Sequence, residues 1–149
     1  MAEQIKYISV FRYDQGEEFN IYNTYTSLDK AKEGWKKDVK DFLSYGPDDV
    51  STLHLFELAL NTNEMKQLKQ HLKVLKKDDE YIYDSQFINF MEALYQNNHF
   101  KQITCMTCDG NYEILEMAEQ DGIDEDKLWS NEKLYKKYLN RYIKQEICI

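Results

Sequence analysis

Residues 6–45 constrain this chain more than any other stretch. They read strand, turn, strand, helix: KYISVFRYDQGEEFNIYNTY, then TSLDKAKEGWKKDVKDFLSY. Tyr7, Phe11 and Tyr13 alternate with Ile8 and Val10, which is strand chemistry in aromatic and β-branched residues. Asp14-Gln15-Gly16 supplies a turn. Phe19, Ile21 and Tyr25 resume the alternation, so a hairpin is expected. Thr26 or Ser27 then caps a helix, with Asp29 in its first turn. Leu28, Ala31, Trp35, Val39 and Phe42 recur at steps of three and four and form one apolar stripe. Gly46-Pro47 ends the helix, because proline biases its predecessor away from helical geometry. Gly34, beside Trp35, permits close approach of helix and sheet.

The remaining elements follow from the same periodicities. Asp48, Asp49 and Ser51 read as a polar loop, and Leu53–Leu60 as a buried strand or a short buried helix, with length and the bracketing loops favouring the strand. Asn61 with Glu64 forms a capping box for a helix whose stripe is Met65, Leu68, Leu72 and Leu75. Lys77-Asp78-Asp79-Glu80 breaks the pattern, and Tyr81-Ile82-Tyr83 reads as a short edge strand. Asp84 or Ser85 caps a third helix that buries Phe87, Met91, Leu94 and Tyr95 and ends at Asn97-Asn98. Gln102–Cys108 and Tyr112–Met117 are expected to form a second hairpin about Asp109-Gly110, a strong two-residue turn signal. The last helix starts near Asp124 or Ser130, with Tyr135, Tyr138 and Tyr142 along one side.

The fold class expected is therefore α+β. A mainly antiparallel sheet of five or six strands, two hairpins plus a central strand, is covered by about four amphipathic helices. At 149 residues the chain suits a single domain spanning residues 1–149. The order strand, turn, strand, helix recurs from Lys101, with Trp35 and Trp129 at similar offsets. Two related hairpin–helix halves, about 1–77 and 84–149, are a further expectation; chance recurrence of a common local motif is the competing one.

Composition narrows the function classes. Hydrophobic content of 42% and aromatic content of 14% favour an ordered globule. No basic-then-apolar segment precedes Lys6, and the longest apolar run is too short for a bilayer, so no secretion signal and no membrane segment are expected. Three cysteines make no disulfide framework, which points to a reducing cytoplasm. A net charge of −8 disfavours general nucleic-acid binding, whose affinity comes from lysine and arginine neutralising phosphates.

Signals for chemistry are sparse. Cys105 and Cys108 have the spacing of a zinc knuckle, and His99 and Cys148 would complete four ligands. A plain strand, however, puts residues three apart on opposite faces, and no second C-x-x-C exists. Neither metal nor cofactor is expected. His54, His71 and His99 are dispersed, with His54 reading as a hydrogen-bonded core histidine and His71 as part of a basic helix side. Asp121–Asp126 lacks the alternating ligands of a calcium loop. No catalytic set and no glycine-rich phosphate loop stand out.

Charge segregation is sharper. Residues 109–126 hold eight acidic residues and no lysine or arginine. Residues 64–77 carry five lysines against Glu64, and residues 132–146 carry five basic residues against two acidic ones. Solvated helix faces explain this blandly. The functional expectation is a non-enzymatic protein-binding module that presents Glu113, Glu116, Glu119, Asp121, Asp124, Glu125 and Asp126 to a basic protein surface, such as an inhibitor occluding a basic groove. Two alternatives stand beside it. One is a small enzyme with a spatially assembled His54 or His99 and carboxylate site. The other is nucleic-acid binding through Lys66, Lys69 and Lys73, or through Tyr138, Arg141 and Tyr142.

Overall fold

The computed structural model describes residues 4–13, 18–44, 50–109 and 112–146. The expected turns at Asp14-Gln15-Gly16 and Gly46-Pro47, the loop at Asp48 and Asp49, the glycine of Asp109-Gly110 and Cys148 lie outside the described residues. Element order is β1 (Tyr7–Tyr13), β2 (Asn20–Tyr25), α1 (Leu28–Ser44), β3 (Val50–Leu58), α2 (Thr62–Lys77), a 3-10 turn (Asp79–Tyr83), α3 (Ser85–Gln96), β4 (Phe100–Asp109), α4 (Tyr112–Gln120), α5 (Glu125–Ser130) and α6 (Glu132–Glu146). The class is α+β. One sheet runs β2-β1-β3-β4, and every neighbour is antiparallel. No helix among the described residues is long and apolar enough to cross a membrane.

Helices cover both faces of this sheet, and each face has its own core. Leu53 and Leu55 of β3 join Trp35, Val39, Phe42 and Leu43 of α1, Ile114 of α4, Leu128 of α5 and Tyr138 and Tyr142 of α6. On the other face Ile8 and Val10 of β1 and Phe56 of β3 meet Leu68 of α2 and Phe87, Met91 and Leu94 of α3. The period-two alternation in β1 sorts its residues between the two cores: Tyr7 and Phe11 go to the first, Ile8 and Val10 to the second. β3 is buried on both faces, which explains its near-continuous run Leu53-His54-Leu55-Phe56.

Four of the sequence expectations are corrected. First, Tyr112–Met117 is not a strand but most of helix α4. Ile114 and Ala118 are buried four residues apart, and Leu, Glu, Met and Ala are strong helix formers. Among the described residues there are therefore four strands, and β4 is followed by three helices where a second hairpin was expected. Second, Tyr81-Ile82-Tyr83 lies in the 3-10 turn; the Asp78 carboxylate accepts from the Glu80 N–H, and Asp84 caps α3 directly afterwards. Third, the last helix is two. The Asp124 carboxylate caps α5 by accepting from the Lys127 N–H, and Asn131, in extended backbone, accepts from the Leu134 N–H to start α6. Among the described residues there are six α-helices where about four were expected. Fourth, β3 begins at Val50 and ends at Leu58, so Ser51 is a buried strand residue and not part of a loop.

The expected capping box is present. Asn61 Oδ1 accepts from the Glu64 N–H at 2.8 Å, and Glu64 Oε1 accepts from the Asn61 N–H at 2.9 Å. Trp35 is buried with the rest of its stripe, except for Leu28, which is exposed at the helix start.

Candidate interaction surfaces

The acidic segment forms the outer part of the first helix layer. α4 follows β4, turns at Asp121-Gly122, and hands over to α5. Gly122 has φ of +80°, a left-handed geometry that glycine takes without strain, and its N–H donates to the Glu119 carbonyl. Four of the seven acids named from sequence are engaged within the fold. Glu113 accepts a short hydrogen bond from the Tyr142 hydroxyl. Asp121 accepts from the Tyr138 hydroxyl at 2.9 Å and pairs with Arg141 at 3.1 Å. Asp124 is the α5 cap, and Glu125 accepts from Trp129 Nε1 at 3.3 Å. Burial, then the Asp121 carboxylate, raises the Tyr138 hydroxyl above its ordinary pKa.

Glu116, Glu119 and Asp126 are different. All three are exposed, and none pairs with a described side chain. Asp126 sits in the first turn of α5, where a negative charge suits the helix dipole. Glu116 is the middle residue of α4 and Glu119, three residues on, lies in its last turn, which contains no basic residue. Like charges at that spacing repel, and the dipole disfavours an anion at Glu119. Among the described residues neither carboxylate has an ion-pair partner.

The histidines are integrated into the packing. His54 is 7% exposed and stacks on Phe56 with ring centroids 4.8 Å apart. Its Nδ1 lies 2.9 Å from Gln102 Oε1, an acceptor, so Nδ1 carries the proton. Gln102 Nε2 in turn donates to the Cys105 sulfur at 3.3 Å. Burial lowers the His54 pKa; the Gln102 hydrogen bond opposes this and the charge of Arg12 adds to it. His54 and Cys105 are cross-strand partners, and Gln102 hydrogen-bonds to both; among the described residues no hydrogen bond joins the imidazole to the thiol directly.

His71 corrects the sequence reading. It is half-buried against Phe90 and Phe87, not on a basic surface, and its Nδ1 lies 2.8 Å from the Tyr81 hydroxyl. His99 Nδ1 lies 2.8 Å from Glu64 Oε2, tying the start of β4 to the first turn of α2. The groove beside β4, about 400 Å³, is lined by Phe56, Tyr95, Asn98, Phe100, Lys101 and Gln102 and holds neither a histidine nor a carboxylate. Among the described residues no three of His, Cys, Asp and Glu are grouped to hold a metal. Cys105 is exposed, while the side chain of Cys108 and all of Cys148 lie outside the described residues, so the four-ligand arrangement falls outside them too.

The basic surfaces separate likewise. Tyr138 and Tyr142 are 1% and 2% exposed, and Arg141 is paired to Asp121. That set offers no exposed rings on which bases could stack. The α2 lysines Lys66, Lys69, Lys73, Lys76 and Lys77 are all exposed.

Two polar arrangements were not visible in the sequence. Asp38, inside the apolar stripe of α1, is 7% exposed. It accepts from Ser9 Oγ and Asn23 Nδ2, each at 2.7 Å, and from the Tyr25 hydroxyl, and so fixes α1 to the hairpin. Burial, then this carboxylate, pushes the Tyr25 hydroxyl well above its ordinary pKa. On the other face Arg12 lies over the Phe19 and Tyr95 rings at 4.2 and 5.2 Å, with Glu92 3.6 Å away.

No protein-family model, curated protein or solved structure matches this chain.

Proposed function

We propose that this protein is a non-enzymatic, cytoplasmic protein-binding module whose α4–α5 face docks on a basic protein surface, in the manner of an inhibitor covering a basic groove. One observation carries the reading. Glu116 and Glu119 are exposed three residues apart on α4, where they repel each other and the helix dipole opposes Glu119, and neither is in an ion pair with a described residue. A basic partner supplies the missing compensation, and long-range attraction speeds the encounter. The neighbouring acids contribute to the field while being fixed in place: Glu113 by Tyr142, Asp121 by Tyr138 and Arg141. A mount of this kind lowers the ordering cost of association.

The test separates docking acids from structural ones. Glu116→Lys, Glu119→Lys and Asp126→Lys, combined, touch no intramolecular hydrogen bond or ion pair described above. Affinity capture from the native host should recover basic proteins with the wild type and lose them with the triple variant. Recovery of the same proteins by both would remove the α4–α5 face as the docking surface.

A further inference from the structure

The opposite side of the molecule carries a second surface, independent of the acidic one. β2 is an edge strand of the sheet. Its sequence NIYNTY contains no charge and no proline, two of the devices that blunt an exposed edge; a bulge at Tyr22 interrupts its ladder with β1, and the stretch Asn23–Tyr25 beyond it pairs regularly. The other edge strand, β4, carries Lys101. The Asn23 N–H donates to Ser9 Oγ and the Tyr25 carbonyl accepts from the Lys6 N–H, so these groups face β1. Alternation along a ladder then turns the Thr24 backbone groups outward. β2 is also held rigidly, because Asp38 binds Asn23 and Tyr25.

Between this edge and α2 runs a groove of about 770 Å³. Half-buried Ile21, Leu72 and Leu75 give it an apolar lining, and exposed Lys69, Lys73 and Lys76 bring positive charge to it. None of these lysines is in an ion pair with a described residue. Along the helix axis Lys69 and Lys73 stand about 6 Å apart. Every second residue of an extended chain repeats at about 6.8 Å. Carboxylates on alternate residues of a strand therefore fall into step with the lysines.

We infer that the β2–α2 groove binds an extended acidic segment of a partner protein, which adds to the sheet as a fifth strand along β2. Backbone hydrogen bonds to the open edge supply generic affinity. The three lysines select for glutamate or aspartate on the alternate residues that face α2. The charge of the groove distinguishes this occupant from a basic partner.

The probe is a synthetic eight-residue peptide alternating glutamate with isoleucine, followed by amide NMR of the full chain. A peptide with lysine in place of glutamate is the control. Shifts confined to residues 20–25 and 69–76, with slowed exchange at the Thr24 amide, are expected for the acidic peptide alone. Lys69→Glu with Lys73→Glu and Lys76→Glu should weaken it at least tenfold, as should Thr24→Pro, which removes an outward donor while keeping the β1 ladder. The fold of both variants is checked by circular dichroism, and each variant stands as a test without the other. Equal binding of the two peptides overturns the proposal, as does wild-type affinity in both variants. A concentration-dependent dimer protected at Thr24 also overturns it, by giving the edge to a second copy.

Discussion

Gly34 of α1 lies against the ring of Tyr25: a Cβ built at position 34 would fall 2.2 Å from Tyr25 Cε1 and 2.5 Å from its Cζ and Oη. The absent side chain lets the helix settle onto the hairpin, and the Tyr25 hydroxyl reaches Asp38 one turn along. Gly34→Ala would gain about 1 kcal/mol of helix propensity. It would also force the ring off Asp38, and overpacking costs about 1–3 kcal/mol. We expect a net loss of about 1 kcal/mol in chemical denaturation. In a Tyr25→Ala background the clash is gone, and the same change should be stabilising. The same sign in both backgrounds would show that Tyr25 is not what the glycine accommodates.

Trp35 occupies the centre of the same helix at 1% exposure. Trp35→Ala should destabilise by about 3–5 kcal/mol, the range for large core aromatics. Urea unfolding checks this, and an unchanged midpoint would contradict the core assignment.

A titration links His54 to stability. Burial holds its folded pKa below the ordinary 6.5. Below pH 6.5 the unfolded chain therefore binds a proton that the folded chain refuses. The contribution is complete above 6.5 and is lost as pH falls from 6.5 through the folded pKa. His71, lowered by burial as well, acts in the same direction. The melting temperature should fall between pH 7.5 and 5.5, and the fall should be smaller in His54→Gln. Parallel curves for the two proteins would mean that His54 keeps its ordinary pKa.

Elements whose signal is local periodicity were legible in the sequence. The alternation of Tyr7 to Phe11, the stripe of Ala31, Trp35, Val39 and Phe42, and the Asn61–Glu64 box each rest on neighbours a few residues apart. Tyr112–Met117 was misread because Asp109-Gly110 suggests a hairpin while the helix-forming residues that follow determine the outcome. Asp38 could not be assigned from sequence. Its partners Ser9 and Asn23 are 29 and 15 residues away, and a polar residue on an apolar stripe has no local signature. For the acids the chain showed their number but not their engagement. Tyr142 lies 29 residues from Glu113, and Arg141 lies 20 from Asp121. Which carboxylates remain exposed without a partner depends on how α6 packs.

That distinction bears on the proposed docking face, and association kinetics test it most directly. With the partner recovered by affinity capture, stopped-flow mixing compares wild type with the Glu116→Lys, Glu119→Lys, Asp126→Lys variant at low salt. The account predicts association slowed about tenfold or more in the variant, and a wild-type rate that falls as salt is raised. Dissociation should change less. Equal association rates at low salt, with no salt dependence in the wild type, would contradict the claim that this protein binds its partner through the acidic α4–α5 face.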